Sequence, residues 1–445
     1  MYGTDATGDG LTAQFTDGEY PVAVYGLGKM GLPLAAVLAD VTGTVVGVDI
    51  DPDVVETVRR GESPVTGEPG LDELVAGQVA SDSLAVTTDG TGAAAGASVH
   101  VVIVPTLLTD DQEPDLATLL AAVDTIAGGL APGDLVVIES TVPPGTSRDV
   151  VRPRLAEQSG LDPGAFGVAF CPERTSSGRA IEDIRGAYPK VVGGVDSESE
   201  RVAAALYDAV TSNDVIPAGS ATTAECVKVF EGLYRDVNIA LANELAQVAE
   251  PLDVDVLRAI EVANTQPFCD IHTPGPGVGG HCIPYYPYFL TTQVDRGLSL
   301  VETAREVNDR MPAFVAQTIR SELNEGEDPP TNPTVLLLGA TYRAGVAETR
   351  KAPARDIASE LDDTGIGVHI VDPLLDREAL AEFDAEPVSL AAVDSLEPDG
   401  VVLVTAHDAF EAIDWTQFDD AFVLDARQFI EDDTAPSYTV GRGYE

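Results

Sequence analysis

Few places in this chain offer chemistry. The stretch GLGKMG sets Gly26, Gly28 and Gly31 in G-x-G-x-x-G spacing, with Lys29 and Met30 inside the turn. Alone this spacing is weak, but an apolar strand pattern precedes it, a helix pattern follows, and Asp49 ends the next strand. Glycines let such a turn tighten, let backbone approach a pyrophosphate, and let helix and strand pack closely. The helix N-terminus then stabilises the phosphates. An acid at Asp49 accepts ribose hydroxyls, which favours NAD over NADP. A second stretch, PGPGVGGHCIPYYP, puts Cys282 between a glycine-rich turn and a Pro/Tyr run. A structural cysteine prefers an apolar helix or strand; this one sits where a ligand could enter.

Lys228 lies inside a long helical pattern. Helical spacing puts Lys228, Gly232, Arg235 and Ile239 on one face, with Asn238 beside it. Such cations need an anionic partner or a solvated face. Thr106, Ser140, Thr141 and Glu173 each follow an apolar strand run. Ligands of open parallel sheets bind at the carboxyl ends of strands, so these residues can share a crevice. Glu173 suits a general base for water; the alternative is a salt bridge to neighbouring Arg174. A hydride-accepting cofactor, a loop cysteine, a helix lysine and a carboxylate suggest one chemistry. A thiolate adds to an aldehyde, hydride leaves, and the thioester is hydrolysed, with Lys228 stabilising the oxyanion.

The elements needed to position these groups can be read from the pattern. Residues 20–197 alternate short apolar strands with helices, implying a parallel sheet covered on both faces. Residues 198–324 read as helical, dominated by one long helix ending before Pro251. EGEDPPTNP, residues 325–333, reads as a linker. The strand–helix rhythm returns over 334–445. The expected fold class is therefore α/β: two Rossmann-like parallel-sheet domains joined by a helical middle domain. Residues 1–19 are acidic and polar, and read as a flexible tail rather than a signal peptide.

The chain has 445 residues, 74 acids against 25 Lys and Arg, and a formal charge of −49. That balance argues against nucleic acid as a partner. There is no apolar run long enough to span a membrane, and a cytoplasmic location is expected. The abundance of Val, Leu and Ile excludes wholesale disorder and points to an acidic shell, as in proteins of halophilic archaea. Only Lys29, Lys190, Lys228 and Lys351 occur. The four cysteines, Cys171, Cys226, Cys269 and Cys282, show no CxxC spacing, so neither a metal nor a disulfide framework is expected. Cys226 and Cys269 read as small buried hydrophobes.

From about residue 20 to 435 the chain resembles the UDP-sugar 6-dehydrogenases. The resemblance rests on GLGKMGLPLA, VPT, ESTVPPGT, CPERTSSGRA, AECVKVFEGLYRDVNIALANELA, PGPGVGGHCIPYYP, ETAREVND and LGATYRAGVAETR, in that order. GGHCIP and YRDVNIALANE are similar to the branch acting on UDP-N-acetylhexosamines, UDP-N-acetylmannosamine foremost, with UDP-glucose the alternative substrate. A non-catalytic nucleotide-sugar-binding protein on the same fold is a further alternative. The resemblance implies NAD as cofactor and four-electron oxidation at C6. It implies Cys282 as nucleophile, Lys228 as electrophilic helper, Glu173 as base, and Thr141 as holder of the hydrolytic water. Thr106 and Thr141 would also border the cofactor. Glu173, Arg174, Lys228, Arg235, Asn238, His281, Arg305, Asn308, Arg343 and Arg350 would line the sugar-nucleotide site. The last domain would bind UDP, and the helical middle would form a homodimer core. Four residues after Lys228 the family usually carries Asn, and four after Cys282 it carries Asp; here these are Gly232 and Tyr286. The two changes are expected to be linked, the Tyr286 ring filling space that Gly232 leaves.

Overall fold

The structure, a computed structural model, describes residues 1–6, 8–325, 329–430 and 436–444. It divides into two compact units. One holds Met1–Glu231 with Tyr288–Asp295, the other Gly232–Pro287 with Arg296–Glu445.

The first unit is built on β1 (Val22–Tyr25), β2 (Val45–Val48), β3 (Leu84–Thr87), β4 (Val99–Val102), β7 (Leu135–Ile138), β8 (Gly167–Phe170), β9 (Lys190–Gly194) and β10 (Val215–Pro217). A separate two-stranded pair, β5 (Leu107–Leu108) and β6 (Pro114–Asp115), follows the fourth strand. The main sheet runs β10-β9-β8-β7-β4-β1-β2-β3, parallel throughout except between β8 and β9. Strands β1, β4, β7 and β8 are buried at every residue. This is why they read as unbroken apolar runs rather than alternating ones. Successive strands leave β1 on one side and resume at β4 on the other. That reversal opens a crevice at the carboxyl ends, where Gly26–Gly31 lies.

The second unit repeats the scheme with β11 (Thr334–Leu338), β12 (Gly367–Val371), β13 (Glu386–Pro387), β14 (Gly400–Leu403), β15 (Phe422–Asp425), β16 (Tyr438–Thr439) and β17 (Gly443–Tyr444). The order is β13-β12-β11-β14-β15-β16-β17, parallel except for the last pair. Its crevice lies between β11 and β14. The α/β class expected from the sequence is the one observed.

Three boundaries differ from the sequence reading. The acidic N-terminal stretch is not a loose tail: Gly8–Thr16 is a helix whose Leu11 and Phe15 are fully buried in the first core. Two apolar residues one turn apart anchor it, and the surrounding acids masked them. The first sheet also extends past residue 197, because the Ser197–Val210 helix and β10 belong to it. Strand β10 has three residues, none of them fully buried, so it carries no apolar signal. The helical middle, finally, does not build its main core alone. Met311, Val315 and Ile319 of the Ser299–Glu325 helix join Val335, Leu337 and Ile357 in one cluster. The linker expected at 325–333 lies partly outside the described residues.

Candidate functional site

In the first unit the GLGKMG turn has the geometry its glycines predict. Gly26 has φ of 98°, and a Cβ there would sit 2.5 Å from the Ile103 carbonyl oxygen. A Cβ at Gly31 would overlap the Gly26 carbonyl. Nothing lies within 4 Å of the Gly28 position, which is exposed with Lys29. The turn thus presents bare backbone to open space. It leads into the Gly31–Thr42 helix, whose N-terminus has no side-chain cap. Asp49 accepts from the Leu27 amide at 2.8 Å and the Asp51 amide at 3.0 Å, which fixes the carboxylate beside the turn. An uncapped helix start, an open glycine edge and a fixed acid at the end of β2 fit the phosphates and ribose of a dinucleotide.

Three further loops leave the same sheet edge. After β4, the Val104 amide donates to Ser140 Oγ at 2.8 Å, and the Thr106 hydroxyl donates to the Thr141 carbonyl. The loop after β7 is therefore tied to its neighbour at two successive residues. After β8 comes Glu173, whose carboxylate accepts from the Thr175 amide and hydroxyl. The Lys228 ammonium donates to the Glu173 carbonyl oxygen and lies 3.3 Å from its carboxylate. Both side chains are nearly enclosed, at 10% and 17% exposure for Lys228 and Glu173. Burial by itself would raise the Glu173 carboxyl. The Lys228 charge and the Thr175 hydrogen bonds outweigh it and hold the group below the ordinary carboxylate range. The salt bridge considered between Glu173 and Arg174 is not made. Arg174 pairs instead with Glu231 at 2.8 Å and donates to the Pro189 carbonyl at 3.0 Å. Met30 reaches the same place, its sulfur 2.8 Å from the Thr175 hydroxyl oxygen. Met30, Glu173, Arg174 and Thr175 line a pocket that also takes in Glu139 and Lys190.

In the second unit Cys282 is the one exposed thiol of the four cysteines. Cys171 is fully buried, whereas Cys226 and Cys269 are only half-buried rather than sealed in the core. The Cys282 carbonyl accepts from the Tyr285 and Tyr286 amides at 3.0 Å each, so the thiol stands at the mouth of a tight turn. The Gly279–Gly280 backbone packs against Tyr342, and the Gly280 amide donates to the Arg350 carbonyl at 2.9 Å. His281 Nε2 lies 3.0 Å from the Glu348 carboxylate. Thus the loop of His281 and Cys282 rests on the loop that carries Arg343 and Arg350. Tyr286 is buried, and its ring occupies the space a side chain at Gly232 would need.

Other expected ligands are engaged within this unit. The Asn238 amide donates to the Asp270 carbonyl at 2.6 Å, and its oxygen accepts from the His272 amide at 2.9 Å. Arg235, one turn earlier than Ile239, is exposed. Arg305 is 4% exposed; it donates to Asp236 at 2.6 Å and Asp309 at 3.0 Å. Asn308 donates to the same Asp236 carboxylate at 2.8 Å and accepts from Asn243 at 2.9 Å. Burial pushes the Asp236 carboxyl up to about 6, against the pull of Arg305. In this structure Arg305 and Asn308 therefore hold two helices together rather than face an open cleft. The sequence reading passed over Asp236 and Thr175. It also passed over Glu225, whose buried carboxylate three residues before Lys228 was signalled only by an acid on an apolar helix face.

Among the described residues no helix is long and apolar enough to cross a membrane, and no group of three or more His, Cys, Asp or Glu is placed to hold a metal.

Comparison with known proteins agrees with this layout. Residues 20–211 match the NAD binding domain of the UDP-glucose/GDP-mannose dehydrogenase family, 222–310 its central domain and 336–432 its UDP binding domain. The UDP-N-acetyl-D-mannosamine dehydrogenase of Pyrococcus horikoshii is 35% identical, covering 92% of this chain and 96% of its own. A solved structure of the UDP-D-ManNAc dehydrogenase from that organism superposes with a TM-score of 0.84 at 32% identity, over 95% of this chain and 99% of the other. A UDP-glucose dehydrogenase structure from Pyrobaculum islandicum gives the same TM-score at 26% identity, over 96% and 98%. With all three domains of the family matched in order, the chain belongs to the UDP-glucose/GDP-mannose dehydrogenase family and is an NAD-dependent UDP-sugar dehydrogenase.

Proposed function

We propose that this enzyme oxidises a UDP-N-acetylhexosamine, UDP-N-acetylmannosamine foremost, at C6 to the uronic acid through a Cys282 thioester. The observation that carries the reading is the Glu173–Lys228 pair. It is a carboxylate kept ionised beside an ammonium, at the carboxyl edge of a sheet whose first turn suits NAD. Bound NAD supplies the hydride acceptor for both oxidations, so that R–CH2OH + 2 NAD+ + H2O becomes R–COO− + 2 NADH + 3 H+. Lys228 stabilises negative charge on the C6 oxygen. Cys282 adds as thiolate to the C6 aldehyde. Glu173 takes a proton from water held by Thr141, and that water attacks the thioester. The attack releases the carboxylate and returns the Cys282 thiol. Arg235, Asn238, His281, Arg343 and Arg350 are the proposed contacts to the sugar nucleotide, and Thr106 borders the cofactor.

The N-acetylhexosamine preference rests on GGHCIP and on the Pyrococcus horikoshii enzyme's substrate. Glucose remains the second reading because the Pyrobaculum islandicum enzyme superposes equally well. The test is NADH formed per sugar consumed, with a panel of UDP-sugars in molar KCl. Two NADH per UDP-N-acetylmannosamine supports the reading. One NADH with released aldehyde refutes the thioester, and turnover with UDP-glucose alone moves the substrate to the second reading. Binding without turnover of any sugar would make the protein a non-catalytic nucleotide-sugar binder.

The second unit also leaves Tyr234, Leu241 and Phe268 exposed, at 53%, 46% and 93%. Tyr234 and Leu241 lie two turns apart on one helix face, and a second copy of the chain in a cytoplasmic homodimer is the proposed cover. Light scattering in molar KCl reads the mass directly.

A further inference from the structure

Glu225 lies on the Ala221–Ala246 helix, three residues before Lys228, and is fully buried. Its carboxylate accepts the Gly145 amide at 2.5 Å and the Ser147 amide at 2.8 Å, one on each oxygen. Those amides end the loop that follows β7. Thr141 is the third residue of this loop, Pro143 and Pro144 stiffen its middle, and the Thr146 hydroxyl closes it onto the Pro143 carbonyl at 2.6 Å. One turn further along the same helix, Lys228 holds the loop that follows β8 through the Glu173 carbonyl and carboxylate. The first turns of one helix thus grip two separate loops. One loop carries the base and the other the residue that would hold its water.

We infer that Glu225 is a positioning residue for thioester hydrolysis: it fixes the Thr141 loop to the helix that carries Lys228, and so sets water against Glu173. This rests on the thioester reading given above. A carboxylate suits the task because its two oxygens can each accept an amide, and charge-assisted bonds are the stronger kind. A misplacement on the order of 1 Å can cost about 100-fold in rate. Hydrolysis needs water, Thr141 and Glu173 in register, so it should suffer before the hydride steps do.

The experiment compares wild type with Glu225→Ala and Glu225→Gln by stopped flow and intact-protein mass, using NAD and the preferred UDP-sugar. With Glu225→Ala we expect a burst of about two NADH per active site, then a steady state slowed about 10- to 100-fold. The acyl adduct should accumulate on Cys282. Glu225→Gln keeps one acceptor oxygen and should fall between the two; it carries the test if the alanine variant does not fold. A slower steady state with neither burst nor adduct would mean that Glu225 only supports the fold, and overturns the inference. So does unchanged turnover. If wild type itself fails to yield two NADH per sugar, the thioester reading falls first, independently of either variant.

Discussion

Gly232 sits in the interior of a helix, where glycine is about 1 kcal/mol worse than alanine. On that ground alone Gly232→Ala should stabilise the protein. The Tyr286 ring reverses the sign. An added methyl would overlap the ring at Cδ2 and lie 3.0 Å from both Cγ and Cε2. The ring is only 6% exposed, so moving it displaces packed neighbours. Overpacking of this kind costs about 1–3 kcal/mol. The two terms oppose each other, and Gly232→Ala should destabilise by up to about 2 kcal/mol. In a Tyr286→Ala background the overlap is gone. The same substitution should then stabilise by about 1 kcal/mol. The coupling between the two sites is thus about 1–3 kcal/mol, the range measured for residues in contact.

Urea unfolding in molar KCl measures the cycle. Trp415 is the only tryptophan in the chain and lies in the same compact unit as Gly232 and Tyr286, so its fluorescence reports the unit concerned. Stabilisation by Gly232→Ala in both backgrounds, or a coupling below about 0.5 kcal/mol, would refute the seating of the ring on Gly232. A large coupling would establish that the exchange of the family's usual Asn and Asp for Gly232 and Tyr286 is one linked change.

Lys228→Met should raise the Glu173 carboxyl, because burial then acts without the opposing ammonium. As the wild-type group is depressed, the stabilisation from its pairing is present above the ordinary carboxylate range and is lost as pH falls through the folded value. The acid limb of kcat/KM should accordingly move to higher pH in the variant; an unmoved limb would separate Glu173 from the rate. Asp49→Ala should weaken NAD binding by about 10- to 100-fold, the worth of charge-assisted hydrogen bonds to the ribose, and fluorescence titration with NADH checks it. Excess acid, 74 residues against 25 basic ones, repels itself at low salt. The melting midpoint should rise between low and molar KCl, and a midpoint that does not move would contradict the acidic-shell reading.

The nucleotide-binding end was legible because its chemistry is local. A glycine turn, its strand, its helix and the acid on the next strand lie within Val22–Asp49, and the turn accounts for the observed backbone at Gly26 and Gly31. The buried strands were legible for a related reason, since full burial removes the alternation that would have made them look amphipathic. What escaped was short, or acid-coated. Strand β10 has no buried residue to announce it, and Leu11 and Phe15 are two apolar positions in an acidic stretch.

The partner choices escaped for another reason. Nearest charge in sequence suggested Arg174 for Glu173, yet the chain brings Lys228 to it from 55 residues away and sends Arg174 to Glu231. The side chain next to Glu173 in sequence leaves the β8 loop toward Glu231, one turn past Lys228 on the same helix. That helix reaches the loop twice, through Lys228 to Glu173 and through Glu231 to Arg174, and it reaches the neighbouring loop through Glu225. One apolar-faced helix carrying three charged residues, at 225, 228 and 231, therefore holds the loops that follow β7 and β8. Their three-residue spacing is plain in the sequence, and only the loops' arrival at the sheet edge gives each charge its partner.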